Sequence, residues 1–338
     1  MVKAGIIGLG KMGLSHCSIL NAHPEVNLLA ACDSSKFLLE AIKKYTRIKC
    51  YTDYKEMIGE NEFDCLVIAT PTKYHFEMVK YALNKNINVF VEKPFSLTLE
   101  DSNEMYKLAN KNMLVNQVGY HNRFLGTFKE LKRLLDNNVI GEVYHFLGEA
   151  YGPVVVREKS STWRSEKDEG GGCLYDYASH VINLINLYFG EPSAVAGTFL
   201  KKIYSKEVED AVYSILIYEK GFSGILSVNW SEDAYRKMST QISVFGKKGK
   251  IIADATECRI YLKEENTKEN LKKGWTIKYI TDVTEGVNFY LRGEEYSSQI
   301  DYFIDHVKNK KHDNINSFES ALQTEKVIDL LFKNGKEV

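Results

Sequence analysis

Short apolar runs alternate with longer amphipathic stretches over the first 120 residues. The runs at 4–7, 27–32, 65–69, 88–91 and 114–118, with a short one around Tyr51, predict strands. The stretches at 14–21, 36–45, 75–83 and 99–111 predict helices, and Thr98 with Asp101 predicts a capping box at the start of the last. Strands that are apolar throughout and are separated by helices predict a parallel sheet covered on both faces.

The rhythm changes after Gly119. A helix is expected at 128–136, a strand at 142–152, an irregular charged stretch to Gly172, and a helix at 174–188 that stops at Gly190. Seven strands follow, at 194–203, 211–218, 222–230, 240–245, 250–253, 259–262 and 276–280, with hairpin signals at Gly221 and 246–249. Consecutive strands joined by short turns predict an antiparallel sheet. The reading is α/β in class: a doubly wound parallel sheet in a first domain, 1–119, and an α+β second domain, 120–338, with a large, mainly antiparallel sheet. A last helix, 318–332, is free to pack back on the first domain.

Composition narrows the function classes. A chain of 338 residues suits two domains. Its 44 basic and 45 acidic side chains nearly cancel, leaving no electrostatic footprint for nucleic acid or an anionic membrane. No apolar run has the length of a membrane span. Six cysteines form no CxxC pair and no zinc-ligand spacing, so no metal is expected. A first strand beginning by Lys3 leaves no room for a signal peptide, and a reducing cytoplasm is the expected compartment.

The first candidate chemistry lies at the end of the first strand. Gly8-Leu9-Gly10-Lys11-Met12-Gly13 matches GxGxxG between a strand and a helix. There the first glycine allows a tight turn, the second lets a pyrophosphate reach the backbone, and the third lets helix and strand pack closely. The phosphates would rest on the positive end of a helix starting near Met12. Asp33 ends the second strand 20 residues beyond Gly13, where an acid accepts the adenine ribose hydroxyls. This favours NAD, while Ser34, Ser35 and Lys36 leave NADP open.

Two further motifs carry a family resemblance: Glu92-Lys93-Pro94 after the fifth strand, and Gly170-Gly171-Gly172-Cys173-Leu174-Tyr175-Asp176-Tyr177-Ala178-Ser179-His180. Ala69-Thr70-Pro71 with His75, Asn122-Arg123-Phe124 and Phe245-Gly246-Lys247-Lys248-Gly249 support it. Together they resemble the glucose–fructose oxidoreductase / inositol dehydrogenase / MocA family. The resemblance implies a Rossmann domain, a second domain with a large open sheet, and dimers or tetramers built on that sheet. It implies Lys93, Asp176 and His180 as the catalytic set and a cis Lys93–Pro94 bond. Thr70, Pro71, His75, Glu92 and Lys93 join the glycine loop as cofactor-side candidates. Asn183 stands where many members carry Asp, which leaves the substrate open.

The residue types suit oxidation of a carbinol. Hydride departure leaves an oxygen that must lose its proton, and histidine is a suitable base. On a helix Asp176 and His180 share a face, and Asn183 continues their row. Lys93, at the C-terminal end of a parallel strand, can stabilise an alkoxide. The 170–172 glycines are expected to let the backbone pass close to a ligand. Arg123, Trp163 and Arg164 are weaker substrate-lining candidates, equally readable as packing or surface residues. The expected function is an NAD(P)-dependent dehydrogenase acting on a sugar, nucleotide-sugar or cyclitol. An NAD-assisted glycosidase and a non-enzymatic dinucleotide sensor are the alternatives.

Overall fold

A computed structural model describes residues 1–157 and 163–337. The chain divides into two compact units: residues 1–121 with 286–322, and residues 122–285 with 323–338. The segment 286–322 therefore groups with the first third of the chain rather than with the second domain expected from 120 onward.

The first unit holds a six-stranded sheet. Its elements are β1 (Val2–Ile7), α1 (Lys11–Ala22), β2 (Val26–Cys32), α2 (Lys36–Tyr45), β3 (Lys49–Tyr51), α3 (Tyr54–Glu60), β4 (Cys65–Ile68), α4 (His75–Asn84), β5 (Asn88–Val91), α5 (Leu99–Lys111) and β6 (Asn116–Val118). The strands are parallel in the order β3-β2-β1-β4-β5-β6. Order reverses between β1 and β4, the place where doubly wound sheets bind ligands beyond their strand ends.

Alternate residues of β4 explain the double covering. Leu66 and Ile68 join one apolar cluster with Met57, Val79 and Met105 from α3, α4 and α5. Cys65 and Val67 join another with Ile19 and Leu20 of α1 and Leu39 of α2. Each fully buried side chain of this kind contributes about 1.5–3 kcal/mol. Thr98 caps α5, its hydroxyl accepting from the Asp101 amide at 3.1 Å.

The second unit begins with α6 (Gly126–Asp136), β7 (Val143–Tyr151) and α7 (Ser179–Phe189). Seven strands follow: β8 (Ala194–Lys201), β9 (Ala211–Ile217), β10 (Ser223–Asn229), β11 (Ser239–Gly246), β12 (Gly249–Ala253), β13 (Glu257–Leu262) and β14 (Gly274–Tyr279). The short α8 (Ile280–Val283) comes next. Then α9 (Glu294–Asn309) belongs to the first unit, where Ile300, Phe303, Ile304 and Val307 complete the cluster against α1.

Helix α10 (Phe318–Asn334) gives Phe318 and Ala321 to the first unit's core and Val327, Ile328 and Leu331 to the second's. Two terminal residues, β15 (Lys336–Glu337), add a last strand beside β8. The nine strands run in the order β14-β13-β12-β11-β7-β10-β9-β8-β15, antiparallel except at β7–β10 and β8–β15. Along β9, Val212 and Leu216 face the core that α6 and α7 cover, while Ile215 and Ile217 stand exposed.

Candidate active site

The turn after β1 uses its glycines for two different reasons. Gly8 has φ +91°, and a Cβ there would lie 2.7 Å from the Ala69 carbonyl. A Cβ on Gly13 would lie 1.9 Å from the Gly8 oxygen, so α1 can approach β1 only without a side chain. Gly10 is different. Its φ of −62° suits any residue, and a Cβ there would meet nothing within 4 Å. Nothing in the folded chain requires glycine at that position, whereas a phosphate approaching the backbone does.

The first turn of α1 has no side-chain cap and no acidic residue, so its amides and positive dipole end suit an anion. Lys11 is exposed and Met12 half-buried beside it. The Asp33 carboxylate accepts from the Leu9 amide at 2.5 Å and from the Ser35 amide at 2.7 Å. It is pinned against the loop with one further lone pair on each oxygen for ribose hydroxyls. Ser34 is exposed next to it.

The ends of β4 and β5 are tied together by His75. Its Nε2 lies 2.9 Å from the Thr70 oxygen, and its Nδ1 lies 3.0 Å from the Pro94 oxygen and 3.3 Å from that of Phe95. Burial pushes its pKa down, against the three carbonyls, which favour the charged ring. As a cofactor contact His75 is displaced: both ring nitrogens are engaged by backbone, and the side chain braces the two loops. Thr70 is half-buried and Pro71 exposed on the first of these loops. The Lys93–Pro94 bond is cis.

Glu92 is held below the usual carboxylate range. Its burial is outweighed by the His16 hydrogen bond and the nearby charges of His16, Lys93 and His121. His121 is driven down to about 4 by its own burial. It stacks on Tyr296 at 4.6 Å between ring centres.

In the second unit the expected helix does not begin as an α-helix. Residues Leu174–Ala178 form a π-helical turn, and α7 proper starts at Ser179. Such turns are rare and concentrate at functional sites. Asp176 sits in the wide turn and His180 follows it into α7, both buried. Arg164 donates from Nε to one Asp176 oxygen at 2.9 Å. Trp163 lies outside the residues whose side chains are described.

The glycine run before this helix serves the protein itself rather than ligand approach. A Cβ on Gly171 would lie 2.3 Å from the Arg164 oxygen, and one on Gly172 (φ +107°) would lie 2.5 Å from Glu209 Oε1. Glu209 is the buried partner that sequence reasoning missed. Its carboxylate accepts from the Leu174 amide at 2.8 Å, and its backbone oxygen accepts from the Cys173 amide at 2.9 Å. Desolvation raises its pKa from 4.5 to about 7.

Asn183 departs from the expected row toward substrate. It is buried: its side-chain oxygen accepts from Arg123 Nε at 2.6 Å, and its amide donates to the Thr324 hydroxyl at 3.0 Å. Arg123 is buried with it and also donates to the Asn183 backbone oxygen at 2.8 Å. Both read as internal scaffold of the second unit. Lys93 belongs to the first unit, and Asp176 and His180 to the second. Among the described residues no cluster of His, Cys, Asp or Glu could hold a metal, and no helix is long and apolar enough to cross a membrane.

Residues 2–120 match a family model described as an oxidoreductase family with an NAD-binding Rossmann fold. Residues 128–252 match the model of the GFO/IDH/MocA C-terminal domain. An uncharacterized oxidoreductase of Schizosaccharomyces pombe is 29% identical over 64% of this chain and 60% of its own length. The chain thus spans about 60% of the length of the fission-yeast relatives it matches. Myo-inositol 2-dehydrogenase of Thermotoga maritima is 27% identical over 78% of this chain and 79% of its own. Among solved structures, levoglucosan dehydrogenase in complex with NADH shares the fold, with a TM-score of 0.86 over 98% of this chain and 96% of that one, at 20% identity.

Two outcomes follow from the glycines and from Glu209. Gly10→Val should weaken NADH binding tenfold or more, read by nicotinamide fluorescence, with Tm within about 2 °C of the parent; one kcal/mol moves Tm of such domains by about 2–4 °C. Gly13→Ala should instead lower Tm by several degrees, because α1 must move off β1. Equal effects of the two substitutions on binding and on Tm would contradict the division of roles.

Glu209 binds a proton in the folded chain that the unfolded chain releases between pH 4.5 and about 7. Its contribution to stability therefore falls as pH rises through that window. Glu209→Gln removes the titration, so the variant should gain on the parent between pH 5 and pH 8 by up to about 3 kcal/mol. Denaturant melts at both pH values measure this, and an unchanged gap would overturn it.

Proposed function

This chain belongs to the Gfo/Idh/MocA oxidoreductases, whose first domain is an NAD-binding Rossmann fold, and on that premise we propose that it is a dehydrogenase acting on a secondary alcohol of a sugar or cyclitol. The observation that carries this reading is the placement of Asp176 in the π-turn and His180 just after it on a buried helix, in a chain that also keeps an unobstructed Gly10. A dinucleotide sensor has no need of buried proton-handling groups. The Thermotoga relative named as an inositol dehydrogenase supports the substrate class.

NAD, when bound, supplies the hydride acceptor. His180 removes the hydroxyl proton as general base. Asp176, bonded to Arg164, orients the substrate. The Lys93 ammonium donates to the developing alkoxide, where a preorganised charge lowers the barrier more than it stabilises the neutral alcohol. Asp33 binds the adenine ribose and disfavours a 2′-phosphate, so NAD is the expected cofactor ahead of NADP. Self-association fits the same reading. Ile215, Ile217 and Ile225 form exposed apolar positions on the outer face of the nine-stranded sheet, a surface for a second copy. Light scattering that returned a monomer at micromolar concentration would exclude it.

A panel of cyclitols, free and phosphorylated sugars, and nucleotide-sugars, assayed with NAD and NADP by absorbance of the reduced nicotinamide, tests the reaction. At least one polyol should give net NADH, and Asp33→Ala should narrow the NAD preference. Removing a positioned base costs on the order of 10²–10⁴ in rate. His180→Ala should show a loss in that range with NADH affinity within twofold of the parent. Aglycone release without net NADH, or near-full activity of the variant, would sink the assignment.

A further inference from the structure

We propose that His16 is a positioning residue for Lys93, acting through the Glu92 carboxylate. The inference rests on the reading of Lys93 as a group that touches substrate, and it concerns what fixes that lysine.

Lys93 lies beyond the last residue of β5, and the Glu92 side chain reaches its backbone. One carboxylate oxygen, Oε2, accepts from the Lys93 backbone amide at 3.2 Å. The other, Oε1, lies 2.6 Å from His16 Nε2. The far side is closed by Gly119, where a Cβ would sit 3.0 Å from the carboxylate carbon and from both oxygens. A carboxylate bonded at both oxygens, with only glycine room on a third side, has little freedom to rotate, and neither does the lysine amide bonded to it.

His16 is placed for this contact. It lies in the second turn of α1, its side chain has no exposed area, and its ring packs edge-on to Phe90 at 5.3 Å. Its Nδ1 has no hydrogen-bond partner among the described residues. The Nε2 contact with Glu92 is thus the polar use the fold makes of a histidine in an otherwise apolar environment. Burying a polar ring with one nitrogen unsatisfied costs free energy that a leucine would not. The return is a two-bond path from α1, the helix that receives the cofactor phosphates, to the backbone of Lys93. A buried charge-assisted bond of 2.6 Å is short and strong enough to transmit a displacement.

Side-chain length provides the test. A glutamine amide reaches the position of imidazole Nε2, whereas an asparagine amide stops near Nδ1. His16→Gln should therefore restore the bond to Glu92, and His16→Asn should not. Two readouts are needed. The first is kcat and KM on the best substrate of the panel, with NADH affinity and Tm as controls. The second needs no substrate: the rate at which acetic anhydride acylates Lys93 at pH 8, measured by peptide mass spectrometry against Lys111 in the same digest.

His16→Asn should lose tenfold or more in kcat with KM and NADH affinity within twofold, and its Lys93 acylation rate should change at least threefold. His16→Gln should stay within threefold of the parent in kcat and match it in acylation. If His16→Asn does not fold, Glu92→Met takes its place. Both bonds are then lost, and the same change in acylation is expected. The proposal is overturned if the two His16 variants behave alike, or if Lys93 acylation is unmoved in all of them. A parent protein inactive on the whole panel, yet showing the Asn–Gln contrast in acylation, would defeat the dehydrogenase reading and leave this one standing.

Discussion

The first unit turns on one contact that only glycine allows, the approach of Gly13 to the Gly8 carbonyl. It seats the start of α1 against the end of β1, at the point where strand order reverses. Everything chemical in that unit is referred to this seat. The amides of the first turn of α1 face the loop, the Asp33 carboxylate is drawn to the Leu9 amide inside it, and His16 arrives one and a half turns later beside Glu92. A side chain at Gly13 would lift the helix and move all three together. A side chain at Gly10 would move none of them.

The second unit solves a related problem by different means. Asp176 and His180 sit where a helix begins inside the protein, and buried helix starts leave amides without partners. Glu209, in the segment before β9, supplies an acceptor, and Gly172 lets the chain come close enough to receive it. Concentrating polar groups there is costly, since Glu209 is desolvated and its charge is disfavoured. Arg164 offsets part of that cost on the Asp176 side.

Most of the architecture was legible in the chain because its strands are punctuated by glycine, proline and charge. Helix 36–45 and strand 88–91 fall where periodicity places them. Helix α9 was missed although Ile300, Phe303, Ile304 and Val307 repeat at helical spacing; their stripe is short and surrounded by polar residues. The π-turn carries no local signature, since one extra residue per turn does not disturb the apolar pattern around Asp176. Spacing alone located the glycine turn between β1 and α1 and put Asp33 just past the end of β2. The roles of Gly172, Asn183 and His75 could not be read that way, because their partners Glu209, Arg123 and the Pro94 carbonyl are remote in sequence. His16 offered no signal at all: a lone histidine in a helix acquires meaning only once the strand that packs on it is known.

The return of residues 286–322 to the first unit means that the chain passes between units three times, after 121, 285 and 322. During synthesis, the Rossmann sheet therefore waits for α9 while the entire second sheet emerges from the ribosome. Until then Ile19 and Leu20 lack Phe303 and Ile304 as neighbours. Cutting the gene at the motif boundary near residue 120 would yield a nucleotide domain with one sheet face stripped of a helix, prone to association through that face. The functional division of this chain and its physical division are not the same cut, and excising one domain for study calls for stitching two distant segments together.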